Sequence, residues 1–245
     1  MQYHLDTIPL WEVMERRVQC PFCALYHKNE QSEVERALGG SVMEPSSRIQ
    51  VNEKGICAEH HRQLLAQNNR LGHALLTGSH CKELLKKLDR LPGRSKGGAL
   101  CALWGNGGSS SQDKVLEQLE ALTQGCVICD TVRGHMDRYY YTFLHLWKTD
   151  AKFKALWEAS PGPCMPHARD LLQSAREHLC ASQQRELSAS VLSLLKETLS
   201  REEQDLEYFT QQFDYRNQKR PWGTSKTALE RTMRRLRGGF GEEEA

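Results

Sequence analysis

Eight residues of this chain have the types and the spacing of metal ligands. Cys20-Pro21-Phe22-Cys23 is separated by 33 residues from Cys57-Ala58-Glu59-His60, and Cys126-Val127-Ile128-Cys129 by 34 residues from Cys164-Met165-Pro166-His167. Two intervening residues let one short turn offer both side chains to a single ion, and three thiolates with one imidazole form a set that suits zinc. The two sets are offset by 106 or 107 positions, and the text after each His is alike: Arg62-Gln63-Leu64-Leu65 against Arg169-Asp170-Leu171-Leu172. Matched motifs with matched gaps indicate an internal duplication. Read along the chain, each half supplies one centre. The first takes Cys20, Cys23, Cys57 and His60, and the second takes Cys126, Cys129, Cys164 and His167, for two zinc ions per chain.

A full set of four protein ligands leaves no position for a reactive water, so the expected zinc is structural and a zinc hydrolase is disfavoured. Both motif types are expected at helix beginnings, where free N–H groups and the positive dipole end stabilise thiolates. Iron would accept a sulfur-rich set, but the single His in each favours zinc. His61 is a weaker candidate than His60, because Ala168 stands at the corresponding place in the second half. Cys81, Cys101 and Cys180 have no matching partners and are read as free thiols.

The elements that must position these ligands read as helices throughout. Leu, Glu, Lys, Arg and Gln dominate, and apolar alternation of strand type is scarce. The expected fold is all-α, with two pseudo-repeated helical zinc modules and a short C-terminal helix. The expected divisions are a first module over 1–91, a flexible Gly/Ser linker over 92–112, and a second module over 113–209. A C-terminal loop and basic helix over 210–238 and an acidic tail over 239–245 follow. A helix is expected to start at Thr7-Ile8-Pro9, and another to run from Pro21 to about Leu38. Ser41 to Gly55 reads as a connector, and Cys57 to Leu91 as a long helix with Leu64, Leu71, Leu75, Leu84, Leu88 and Leu91 as its apolar stripe, weakened by Gly72 and Gly78 and with a possible break at Gly78-Ser79. Further helices are expected over Lys114–Leu122, over Cys126 to about Trp147, and over His167 to about Phe209. Pro161-Gly162-Pro163 reads as a second connector.

Bulk properties narrow the function classes. The hydrophobic share is 39% and the formal charge +2, which by itself implies neither a membrane protein nor a nucleic-acid partner. No run approaches the roughly 18 apolar residues of a membrane span. The first residues lack the basic start and apolar centre of a secretory signal, so the expected location is cytoplasmic. Nine cysteines, an odd number, then point to metal ligation ahead of disulfides.

A second candidate site lies in the C-terminal loop, where Asp214, Tyr215, Arg216, Asn217 and Trp222 combine charge, amide and aromatic groups. They could bind a protein partner or small ligand; the alternative is that Asp214 and Arg216 brace the loop while Tyr215 and Trp222 pack it onto the body. Ser225 is a candidate cap for the last helix, with Leu229, Met233 and Leu236 as its buried side and Arg231, Arg234, Arg235 and Arg237 as its exposed side. The aromatic run Tyr139 to Trp147 is expected to be core.

Several blocks together resemble an uncharacterised bacterial family, a domain of unknown function. They are His4-Leu5-Asp6-Thr7-Ile8-Pro9, Cys20-Pro21-Phe22-Cys23, Met43-Glu44-Pro45, Arg48-Ile49, Asn52-Glu53-Lys54-Gly55-Ile56-Cys57, Cys164-Met165-Pro166-His167, and Phe213-Asp214-Tyr215-Arg216-Asn217 with Pro221-Trp222-Gly223. The resemblance implies one unit running the full length, and no activity. The function expected from the residues is a zinc-stabilised helical scaffold or adaptor without enzymatic activity. The alternatives are a zinc-thiolate redox sensor and a nucleic-acid binder acting through the basic C-terminal segment.

Overall fold

The structure is a computed structural model that describes residues 3–91, 111–217 and 220–238. Most of the expected linker, Cys101 and the acidic tail lie outside the described residues. Among those described there are eleven α-helices and no strand. They are α1 Tyr3–Glu15, α2 Pro21–Leu38, α3 Pro45–Lys54, α4 Ala58–Ala66, α5 Arg70–Asp89, α6 Ser111–Thr123, α7 Val127–Thr149, α8 Ala151–Glu158, α9 Met165–His178, α10 Ala181–Gln211 and α11 Ala228–Arg237.

These helices form two compact units that do not follow the two halves of the repeat. One comprises residues 1–29 and 133–245, the other residues 30–132. The boundaries fall inside α2 and inside α7.

The discontinuous unit is built on aromatic packing. Phe143 meets Trp157 at 4.8 Å and Phe153 at 5.5 Å between ring centroids, Phe22 meets Tyr140 at 5.0 Å, and Trp11 meets Phe153 at 5.3 Å. The run from Tyr139 is core as expected, except that Tyr141 is exposed. Truncating a buried Phe or Trp to Ala typically costs about 3–5 kcal/mol, so these rings dominate the unit's stability. Helix α8 was not anticipated. Asp150 begins it, its Oδ1 accepting from the Lys152 and Phe153 N–H groups at 2.9 and 3.0 Å. The expected helix from His167 to Phe209 is two helices, broken at Leu179-Cys180, and Cys180 caps α10 together with Gln183. On α10, Leu187, Val191 and Leu195 are buried.

In the continuous unit, α3 packs on α5. Val34, Leu38, Val51, Leu64, Leu76 and Ile128 are buried within it. The stretch read as a connector holds a 3-10 turn over Gly40–Met43 and all of α3, which Pro45 opens at its first position. The single helix expected from Cys57 to Leu91 is interrupted after Ala66. Asn69 restarts it, accepting from Gly72 N–H at 2.9 Å and donating to the Leu38 carbonyl at 2.7 Å. The break therefore falls before Gly72, and α5 runs on through Gly78. Of the expected leucine stripe only Leu64 is buried; Leu71, Leu75 and Leu88 are exposed. At the N-terminus Pro9 lies inside α1 rather than at its start.

Candidate metal centres

Each of the four Cys-led motifs opens a helix in the same way. The carbonyls of Cys20, Cys57, Cys126 and Cys164 accept the first helical hydrogen bonds, from Ala24, His61, Asp130 and Ala168, at 3.2, 2.9, 3.0 and 2.8 Å. The leading Cys is thus the cap, and the second ligand falls one turn in, on the same face. Gly55 and Gly162, each two residues before the leading Cys of a Cys-x-x-His motif, share positive φ values of 76° and 75°. A side chain is strained there, so glycine makes the turn that delivers Cys57 and Cys164.

The motifs combine across the two halves of the sequence. Cys20, Cys23, Cys164 and His167 form one cluster and Cys57, His60, Cys126 and Cys129 the other, with ligand atoms within 4.8 Å of one another. This corrects the pairing read along the chain: the eight residues are those expected, but each Cys-x-x-Cys joins the Cys-x-x-His of the other half. The outer centre takes the first and last motifs and the inner centre takes the middle two. Each lies within one compact unit.

In the inner centre, His60 Nδ1 lies 3.1, 3.3 and 3.4 Å from the sulfurs of Cys57, Cys126 and Cys129. The opposite ring nitrogen, Nε2, lies 3.2 Å from a Glu30 carboxylate oxygen. Val127 N–H donates to the Gly55 carbonyl at 3.1 Å, and Lys54 pairs with Asp130, joining the beginning of α7 to the residues before Cys57. In the outer centre, His167 Nδ1 lies 3.1, 3.3 and 3.6 Å from the sulfurs of Cys164, Cys23 and Cys20. Cys164 N–H points at Cys20 Sγ at 3.2 Å.

The electrostatics of both clusters reflect this crowding. Burial alone would depress the His60 imidazole, but its contacts with Cys126, Glu30 and Cys57 raise it to about 10; His167 is raised to about 10 by Cys164 and Cys20 against the same effect of burial. Burial would raise Cys126, yet His60 and nearby backbone N–H groups bring it down to about 6, whereas burial and the adjacent sulfurs push Cys129 up to about 12. Binding a metal here would displace the protons that these shifts favour on the ligand groups.

The outer centre is closed by a segment with no counterpart in the first half. Arg235 of α11 is buried, donates from Nη1 to the Gly162 and Pro163 carbonyls at 3.0 and 2.9 Å, and lies 3.5 Å from Glu202. Gln19, just before Cys20, donates to the Arg231 carbonyl at 2.7 Å. Gly238, which ends α11, sits so close that an added Cβ would be 3.3 Å from Cys164 Sγ and 3.8 Å from Cys23 Sγ. Nothing in the residue pattern pointed to Glu30, Arg235 or Gly238, whose roles depend on which helices meet.

The remaining candidate residues lie outside the two clusters. His61 turns to His73, Nδ1 to Nε2 at 2.7 Å. Cys81 and Cys180 are free and exposed. Asp214 and Arg216 brace each other at 2.6 Å, Asn217 donates to the Gln211 carbonyl, and Trp222 packs on Phe209 and Phe213 while Tyr215 is exposed. Ser225 bonds the Trp222 carbonyl and does not cap α11. On α11 the expected buried side, Leu229, Met233 and Leu236, is exposed; of the expected exposed side Arg235 is buried and Arg231 and Arg234 are half-buried, while Arg237 is exposed as expected.

The fold and the clusters define an all-α protein with two Cys₃His centres at helix N-termini. Among the described residues, no helix is long and apolar enough to cross a membrane. The chain belongs to DUF6062, a family of unknown function, whose model matches residues 1–243. No curated protein and no solved structure matches it.

Proposed function

We propose that the chain is a zinc-stabilised helical scaffold, without enzymatic activity, in which two structural zinc ions fasten helices brought together from distant parts of the sequence. The observation that carries this reading is the spacing of the ligand atoms. Zinc bond lengths of about 2.3 Å to sulfur and about 2.0 Å to nitrogen place tetrahedral ligands about 3.8 Å apart for sulfur pairs and about 3.5 Å for sulfur–nitrogen pairs. The sulfur pairs Cys23–Cys164 and Cys57–Cys129 are 3.6 and 3.8 Å apart, and the sulfur–nitrogen distances run from 3.1 to 3.6 Å. Three thiolates and one Zn²⁺ leave one net negative charge, which the two helix N-termini at each centre offset. With four protein ligands the ion holds structure and has no position for water. Free zinc thiolates suit a reducing compartment, consistent with a cytoplasmic location. Elemental analysis of untagged protein never exposed to chelator is expected to give two zinc per chain. Chelation is expected to lower the melting temperature. A ratio near zero, or an unchanged melt after verified metal loss, would overturn the reading.

A further inference from the structure

Helix α11 carries its amphipathicity inside out. Its polar side is fastened to the body: Arg235 to Glu202, Gly162 and Pro163, and Arg231 to Asp205 and the Thr224 carbonyl. Its apolar side faces solvent, with Leu229, Met233 and Leu236 exposed by 47, 43 and 48%. A buried arginine and an exposed apolar stripe on one short helix are the two informative departures from ordinary burial, and they occur together. The anchored polar side fixes the orientation, so the stripe cannot simply roll inward.

The stripe has the four-then-three spacing of a helix–helix seam. At about 100° per residue, Glu230 and Arg237 lie on one and the same flank of it, seven residues apart. Both are exposed, and neither has an ion-pair partner among the described residues. When two copies of a helix pair antiparallel about a two-fold axis, each flank meets the same flank of the other copy, run in the opposite direction. Glu230 then comes opposite Arg237 of the second copy, and Arg237 opposite its Glu230, while the apolar residues close between them. We propose that the outward face of α11 is a self-complementary docking surface for a second copy of this chain. The seam is short compared with a standard protein interface, so the dimer is weak and reversible.

Sedimentation velocity on the full zinc-loaded chain, from about 1 μM to about 500 μM, tests this, since a small seam places dissociation in the micromolar range. The wild type is expected to pass from monomer to dimer. Met233→Gln is expected to remain monomeric throughout. Glu230→Arg and Arg237→Glu each place like charges opposite one another and are expected to weaken association about tenfold, two affected contacts per dimer adding. The double variant Glu230→Arg/Arg237→Glu restores opposite charges and is expected to recover the wild-type affinity. All three positions are exposed, and melting curves of each variant verify that the fold is kept. A wild type that stays monomeric, a dimer indifferent to Met233→Gln, or a double variant no tighter than the single ones would overturn the proposal. A monomer that instead sediments with anionic vesicles through the same residues would assign the stripe to a lipid surface and overturn it equally.

Discussion

Arg235→Met removes the cation at the middle of the contacts that hold α11 over the outer centre. In the wild type the Arg235 and Glu202 side chains are 1 and 3% exposed and lie 3.5 Å apart. Deleting one partner leaves the other as an uncompensated buried charge, which typically costs about 3–5 kcal/mol. The Gly162 and Pro163 carbonyls lose their charged donor in the same step. At roughly 2–4 °C per kcal/mol for a chain of this size, the melting temperature should fall by about 6–20 °C. The assay is a thermal melt by circular dichroism with zinc in excess, run beside Glu202→Gln/Arg235→Met, which removes the stranded carboxylate and should recover most of the loss. The pH dependence has a definite sign. Burial raises the Glu202 carboxyl above its ordinary value, and Arg235 pulls it back. A raised carboxyl binds its proton more tightly in the folded state, so its contribution to stability declines as pH climbs from the unfolded value through the folded one. Without Arg235 the raise is larger. The variant's deficit should therefore shrink when pH is lowered from about 8 to about 6. A drop below about 2 °C, less than a single kcal/mol on this scale, would refute the reasoning, as would a double variant no more stable than the single one or a deficit that grows on acidification.

Three further outcomes follow from particular contacts. Glu30→Gln keeps the size of the group that backs His60 but removes its charge, and should weaken metal retention at the inner centre by about 10–100-fold while the outer centre keeps its ion; competition with a chromophoric chelator measures both. Asn69→Ala deletes the cap of α5 and its bond to the Leu38 carbonyl, and should cost about 1–2 kcal/mol in denaturant melts. Gly125→Ala sets a Cβ 2.8 Å from the Lys54 carbonyl oxygen at a φ of 130°. It should destabilise the protein by about 1–3 kcal/mol, read from the same melts.

The Cys and His residues that cluster and the helical class are legible because ligand-type spacing and helix periodicity are local signals. Pro21 to Leu38 is the clearest case: proline opens the helix and Gly39 follows its last residue. Ligand pairing is not local. Every Cys-x-x-Cys can complete a Cys₃His set with either Cys-x-x-His. Closing the longer loops costs only about 1 kcal/mol more than closing the shorter ones, against the roughly 10 kcal/mol or more of a structural zinc site, so nearness in sequence is a poor guide. The breaks at Asn69 and Cys180 escaped notice because leucine spacing continues across both. The burial of Arg235 is not legible in α11 because its ion-pair partner is Glu202 and its acceptors are on the Gly162-Pro163 turn, distant positions that the pattern of the helix itself does not contain. Glu30 is legible only once α2 and α4 are known to meet.

Metal stoichiometry of paired cysteine variants measures most directly which motifs share an ion. Zinc per chain is determined for Cys20→Ser/Cys164→Ser and for Cys20→Ser/Cys57→Ser, each purified without chelator and verified to be folded. The crossed arrangement predicts that the first variant, with both changes in the outer centre, keeps one zinc, and that the second, with one change in each centre, retains neither tightly. The reverse result, one zinc kept in Cys20→Ser/Cys57→Ser and none in Cys20→Ser/Cys164→Ser, would contradict it.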